Sequence, residues 1–265
     1  MREIWAFVWG AVVGVLGGLI GLGGAEFRLP ILLSVFHYHT LSAIVINLIV
    51  SLVTVTFSFI FRSGAIGLEN VMAHWTVILN ILAGSLIGSY MGVNYATRMN
   101  ERLLNRVVVI FLIFLSFVLI GHQWIFSFGS LQLPFLLKSG IGFITGIAIG
   151  IFSSLLGVAG GELIIPTIVL LFAIDIKLAG SLSLAISIPT IIMGLWKYQK
   201  QQRLKEIRSE RTLISLMGLG SILGAFIGSN LLKFLPSSLL YFILGTILLL
   251  SALKLSQHKP ATPQN

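Results

Sequence analysis

Two carboxylates stand in sequence that is otherwise almost wholly apolar, and they stand in the same setting. Residues 21–30 read GLGGAEFRLP and residues 157–166 read GVAGGELIIP, so Glu26 and Glu162 each follow a glycine-rich break and precede a proline by four residues. Glu162 lies 136 positions after Glu26, and Pro166 lies 136 after Pro30, so the copies are in register without a gap. A break that opens a short helix exposes backbone N–H groups that have no intrahelical partner, at the electropositive end of the helix dipole. Glycine lets an anion approach that backbone closely. The pairs Gly23-Gly24 and Gly160-Gly161 are therefore candidates for cradling a small oxyanion. Two roles are open to Glu26 and Glu162: caps that fill the site an anion would use, or protonatable groups that couple proton movement to transport. Pro30 and Pro166 read as shaping the first turns of the short helices.

Arg28 breaks the symmetry, because its counterpart is Ile164. An arginine in lipid either pairs with Glu26, Glu162 or a substrate oxyanion, or snorkels to the interface. Following the motifs, Asn47, Ser51 and Thr54 recur as Ser183, Ser187 and Thr190. Their spacing puts each trio on one helix face. Asn47, Ser51, Ser183 and Ser187 are candidates to line an anion site, and interhelical polar contacts would give the same pattern.

The elements that must position these groups follow from composition. With 57% hydrophobic residues, 9% charged and a mean hydropathy of +1.03, against about 25% charged in a soluble domain, the chain reads as an all-α polytopic membrane protein. The net charge of +9 sits in short loops, where it sets orientation and offers no solvated basic face for nucleic acid. Absence of cysteine excludes disulfides and thiolate chemistry. The five histidines, His37, His39, His74, His122 and His258, show no ligand spacing, and the reading is of no metal and no cofactor. Neither a zinc-protease motif, a nucleophile elbow nor a phosphate loop is present in workable context, so no enzyme is expected.

The 136-residue offset extends along the chain: Gly10 and Gly14 match Gly146 and Gly150, and Gly84, Gly88 and Gly92 match Gly220, Gly224 and Gly228. The latter two series read as surfaces for close helix packing. Because the first apolar segment belongs to the duplicated unit, it is expected to be kept as a structural helix, not removed as a leader. Each half holds five apolar segments, near 4–20, 27–36, 41–61, 74–93 and 103–120, then 139–156, 163–174, 178–196, 212–232 and 238–253. Four of each five approach the ~20 residues of a spanning helix, and the second is a half-helix that spans or re-enters. The expected organisation is repeat 1 over 1–121, a linker over 122–137, repeat 2 over 138–254 and a cytoplasmic tail over 255–265.

Basic residues cluster at Lys197, Lys200, Arg203, Lys205, Arg208 and Arg211 in the second half. In the first half they fall one loop later, at Arg98, Arg102 and Arg106, while loop 62–72 holds only Arg62. That swap predicts two inverted-topology repeats, each of about four spanning helices plus a half-helix, with both termini cytoplasmic. Lys177 and Lys233 read as interfacial.

The paired segments 21–30 and 157–166, each followed by a short apolar helix, resemble those of the TauE/SafE family, sulfite-exporter-type permeases of the bacterial inner membrane. The likeness covers the chain to about Leu253, and GVAGGELIIP is the closer match. The first copy departs from it by Ala25 in a run usually of three glycines and by Arg28 where an apolar residue is common. The resemblance implies transport of sulfite or an organosulfonate. The combined expectation is a secondary active transporter, an exporter, of a small sulfur-containing oxyanion, with proton coupling through Glu26 or Glu162. A passive anion channel, or a membrane protein without transport, is the alternative. The lipid bilayer and a small anion are the expected partners, and the reading allows a homo-oligomer.

Overall fold

Without water at depth, each buried backbone group must find its partner within the chain, and this sequence meets that demand with helices. The computed structural model describes residues 2–96, 134–202 and 211–236 continuously, with scattered positions over 106–117 and 207–253. Its helices are α1 (Arg2–Ile20), α2 (Ala25–Ser34), α3 (Thr40–Ile66), α4 (Leu68–Met72), α5 (Trp75–Ala96), α6 (Phe135–Leu156), α7 (Gly161–Phe172), α8 (Ile176–Lys200) and α9 (Arg211–Leu231). No strand occurs among the described residues. Six of the helices, α1, α3, α5, α6, α8 and α9, are long and apolar enough to cross a membrane. The described positions of the fifth segments are helical. Residues 118–133 and 254–265, which hold most of the expected linker and the tail, lie outside the described residues.

The short helices turn back on their predecessors. Arg2 Nη2 donates to the Tyr38 hydroxyl at 2.8 Å, so the start of α1 and the chain just past α2 lie on one face. In the second half, the Phe172 ring at the end of α7 comes within 3.3 Å of where a Cβ on Gly142 of α6 would stand. Glu210, just before α9, reaches the same face as Arg2, with 3.8 Å between Arg2 Nη2 and Glu210 Oε2. Tyr38 also donates to Glu210 Oε2. Partial burial, reinforced by that carboxylate, pushes the Tyr38 phenol above its usual range. Asn94 and Gln201 bring the ends of α5 and α8 to within 3.3 Å of each other. Nearby, Lys197 Nζ stands 3.8 Å from the Tyr90 ring centroid and Lys200 Nζ the same distance from Trp196, aromatic partners suited to an interface.

Packing pairs helices across the two halves. α1 lies along α9, and α5 along α6, each pair running in the same direction, while α3 and α8 occupy the middle. Lipid tails give apolar helices no reason to prefer one another over lipid, so close approach through small residues has to hold them. A methyl group on Gly10, Gly14 or Gly18 would strike the carbonyls of Met217, Ser221 or Ala225. In return Gly220, Gly224 and Gly228 press on Phe7, Ala11 and Val15. The second pair repeats the device: Gly84, Gly88 and Gly92 press on Phe143, Ile147 and Ile151, and Gly146 and Gly150 press on Ile81 and Ser85. The packing surfaces read from the glycine spacing are thus the two helix zippers.

Arg62 departs from the sequence reading. α3 continues to Ile66, so Arg62 is no loop cation but a fully buried helical residue. It stays there because its donors are used: Nη1 donates to Gly18 O at 3.0 Å and Leu19 O at 2.8 Å, Nη2 to Lys177 O at 2.6 Å, and Nε to Ser181 Oγ at 3.2 Å. The guanidinium caps the C-terminal carbonyls of α1 and ties them to the start of α8. Tyr198, at the matching position of the second half, donates to Ser154 O at 2.9 Å, and Ser154 is the match of Gly18.

Two outcomes follow for stability in detergent, read as melting temperature. Gly88→Ala should destabilise by about 1–3 kcal/mol through overpacking, whereas Gly140→Ala, where nothing lies within 4 Å, should leave the melting temperature unchanged or slightly raised. Arg62→Met strands several carbonyls at roughly 1–3 kcal/mol each and should cost well more than Tyr198→Phe, which loses one hydrogen bond of about 1 kcal/mol. Equal losses in the last pair would show that Arg62 caps nothing.

Candidate functional site

The two glycine breaks meet. A methyl on Gly23 would stand 2.7 Å from the Cβ of Ala159, which is its own match in the second half, and one on Gly161 would stand 3.0 Å from the Cα of Leu22. Gly24 and Gly160, at the N-caps of α2 and α7, have φ of 67° and 79°, the left-handed region that favours glycine. Being glycines, the N-cap residues give these helices no side-chain cap of their own. Their first N–H groups therefore start from one shared junction, with α2 held against α3 and α7 against α8.

All the residues singled out by sequence are buried: Gly23, Gly24, Glu26, Arg28, Asn47, Ser51, Gly160, Gly161, Glu162, Ser183 and Ser187. The structure gathers Arg28, Asn47 and Ser51 directly. Arg28 Nη1 donates to Asn47 Oδ1 at 3.3 Å and Ser51 Oγ at 3.0 Å, and Nη2 donates to Thr54 Oγ1 at 3.0 Å and, more weakly, to Gly23 O and Ser221 Oγ, each at 3.4 Å. Asn47 Nδ2 donates in turn to Ala25 O at 2.9 Å, fixing the first turn of α2. From the second half, Ser183 Oγ donates to Gly21 O at 2.6 Å, so α8 braces the first break. Ser187 is buried one turn further along α8.

Arg28 is fully buried and does not snorkel, because five neutral oxygens hold its guanidinium. Among the described residues, no carboxylate lies within ion-pair distance of it. Thr54 and Ser221 complete its cage. The repeat shows the counterpart of the cage: the hydroxyls of Thr190 and Ser85 bond each other at 2.8 Å, whereas their equivalents, Thr54 and Ser221, both accept from Arg28. Sequence reasoning passed over Ser221 as an Arg28 contact and Arg62 as a cap. For both, the signal was positional, a polar residue whose repeat partner is also polar.

Glu26 and Glu162 occupy the second position of α2 and α7, and both are buried. They lie within electrostatic reach of each other across the junction, and Glu26 also within reach of Arg28. The Glu26 and Glu162 carboxyls interact side chain to side chain, and Nε of Arg28 has no hydrogen-bond partner among the described residues. The junction thus combines two helix N-termini, one guanidinium without a carboxylate in ion-pair contact among the described residues, and two carboxyls. It has the parts to bind an anion and to hold a proton beside it. Among the described residues, no group of three or more histidines, aspartates or glutamates could hold a metal.

The family model described as "Sulfite exporter TauE/SafE" matches residues 1–119 and 141–264. A Methanocaldococcus jannaschii protein, named a probable membrane transporter protein, is 29% identical over 204 residues, which are 71% of this chain and 69% of that protein. No solved structure gives a match. With almost its whole length matched, and six helices among the described residues long and apolar enough to cross a membrane, the chain belongs to the Sulfite exporter TauE/SafE family of multi-pass membrane transporters.

Proposed function

We propose that the chain is a secondary active transporter that exports a small sulfur-containing oxyanion, sulfite or an organosulfonate, across the inner membrane in exchange for protons. The observation that carries this reading is Arg28, buried at the junction of two helix N-termini with only neutral oxygens as contacts. A cation so placed attracts an anion, and the N–H groups of Gly23-Gly24 and Gly160-Gly161 supply donors at close approach. Asn47 and Ser51 aim the guanidinium, and Ser183 and Ser187 line the facing side. Glu26 and Glu162 share and pass the proton. The family's designation as sulfite exporters supports the choice of sulfite.

In this reading the halves, 1–121 and 138–254 about a linker at 122–137, are inverted repeats, and the termini, with the tail 255–265, are cytoplasmic. Matching helices support it by entering from opposite faces. α1 starts beside Tyr38 and Glu210, whereas its match α6 starts beside Asn80 near the beginning of α5, where Asn80 Nδ2 donates to Ser139 O at 3.0 Å. The junction then lies near mid-depth, as expected for a substrate site between repeats.

Proteoliposomes loaded with labelled sulfite test the reading. Flux should concentrate sulfite against its gradient under an imposed pH difference and collapse with a protonophore, and downhill flux indifferent to the protonophore would instead mean a channel. Glu26→Gln and Glu162→Gln should each abolish pH-driven accumulation while leaving sulfite exchange measurable. Arg28→Ala should lower anion affinity by about ten- to a hundredfold, the value of a lost hydrogen bond to a charged group, and unchanged affinity would remove Arg28 from the site.

A further inference from the structure

Away from the junction, a polar cluster on the face where α1 begins has no part in holding an anion. It joins Arg2 of α1, Tyr38 just past α2 and Glu210 just before α9. Arg2 Nη2 donates to the Tyr38 hydroxyl at 2.8 Å and stands 3.8 Å from Glu210 Oε2, and Tyr38 donates to the same carboxylate. The Arg2 guanidinium also lies 5.3 Å from the Tyr38 ring centroid and 5.9 Å from that of buried Phe36. Three segments drawn from both halves are thereby tied together. Arg2 and Glu210 keep 56% and 26% of their side-chain surface exposed, and polar contacts so exposed stabilise only weakly. They suit a fastening that has to open as well as close.

The same helices meet again at greater depth. Leu32 of α2, Leu213 and Met217 of α9, and Ala6 and Val13 of α1 belong to one buried apolar cluster. Deeper still, Arg28 of α2 donates to Ser221 of α9. The seam between α2 and the α1–α9 zipper thus has a polar layer at the surface, an apolar layer below it and the Arg28 cage at the junction. α2 hangs from the glycine break, where Gly23 and Gly24 have φ of 85° and 67°. A methyl on Gly24 would stand 2.5 Å from Cγ1 of Val13, so the start of α2 is held close and its freedom to swing belongs to the end that carries Tyr38. The opposite face lacks this fastening. The repeat matches of Arg2, Tyr38 and Glu210 are Lys138, Ile174 and His74, which include no carboxylate. We infer that the Arg2–Tyr38–Glu210 cluster is the latch of a gate, fastened in this structure, that closes the junction to the face where α1 begins. On its release α2 swings about the glycine break, away from the α1–α9 zipper, and opens the Arg28 cage to that face. The inference rests on the transport reading and names the element that moves.

Because the chain has no cysteine, a single introduced thiol reports on the gate. Leu32→Cys places it in the apolar layer of the seam, and Ile168→Cys places it at the matching position of α7; both positions are fully buried. Each is labelled with a small, positively charged thiosulfonate in the purified full chain in detergent, where both faces meet the reagent. Tyr38→Phe and Glu210→Gln should each speed labelling at position 32 by about three- to tenfold, as one exposed hydrogen bond to a charged group is lost. Labelling at position 168 should stay unchanged or slow. An unchanged rate at position 32 overturns the inference. So does an equal rise at both positions, which marks general loosening. If one variant fails to fold, the other carries the test, with Arg2→Gln as a third. Labelling needs no substrate, so its outcome is separate from that of sulfite flux. A response without flux keeps the gate and removes the anion reading, whereas flux without a response removes the gate alone.

Discussion

Each glycine break removes a stretch of helical hydrogen bonding at a depth where no water can replace it, and much of the structure answers that deficit. The two breaks are packed against each other, so the irregular backbone of each is covered by protein and not by lipid. The carbonyls left at the end of α1 are taken by Arg62 and one at the end of α6 by Tyr198. Gly21 O receives Ser183 from the opposite half. On the other side of the breaks the helices begin, partial positive charge gathers, and Arg28 Nε–H stands beside the carboxyls of Glu26 and Glu162.

The two halves satisfy the same geometry by different chemistry. Where the second break is flanked by a hydroxyl pair drawn from both halves, Thr190 and Ser85, and by the phenol of Tyr198, the first is flanked by two guanidiniums, Arg28 and Arg62. All the buried positive charge at the described core therefore belongs to one repeat. Removing a guanidinium from water is costly, and that cost is offset only by a full set of oxygens. Arg62 has such a set and Arg28 lacks one contact.

Much of this was legible from residues alone. The in-register duplication located both breaks, both carboxyls and the zipper glycines, because each depends on local rules: glycine at a left-handed cap, small residues where helices touch, apolar runs long enough to cross. The junction residues came together as a group for the same reason, since the repeat forces their equivalence. Helix ends were less legible. Arg62 looks like a loop cation when charge is taken as the edge of a membrane segment, and only its tertiary partners, Gly18, Leu19 and Lys177, keep it inside. Contacts of Arg28 with Ser221 were equally hidden, since they join positions 193 residues apart. Which hydroxyls bond one another and which accept from an arginine depends on side-chain placement between helices, and that has no periodic signature.

The crossed pairing of helices also imposes an order of assembly. α5 and α6 meet through contacts such as Ser89 with Ser154, 65 residues apart, whereas α1 and α9 meet through contacts such as Ser221 with Gly10, 211 residues apart. During synthesis the first zipper can close as soon as α6 enters the bilayer, but α1 must wait in lipid, with its glycine face unmatched, until nearly the whole chain has been made. The later closure also brings Ser221 to Arg28, so the guanidinium cage is completed only then. Two zippers that are equivalent in space are therefore unequal in time. The last one to form is the one that seals the charged half of the site, so a chain interrupted before α9 would hold an arginine in the membrane with its cage still open.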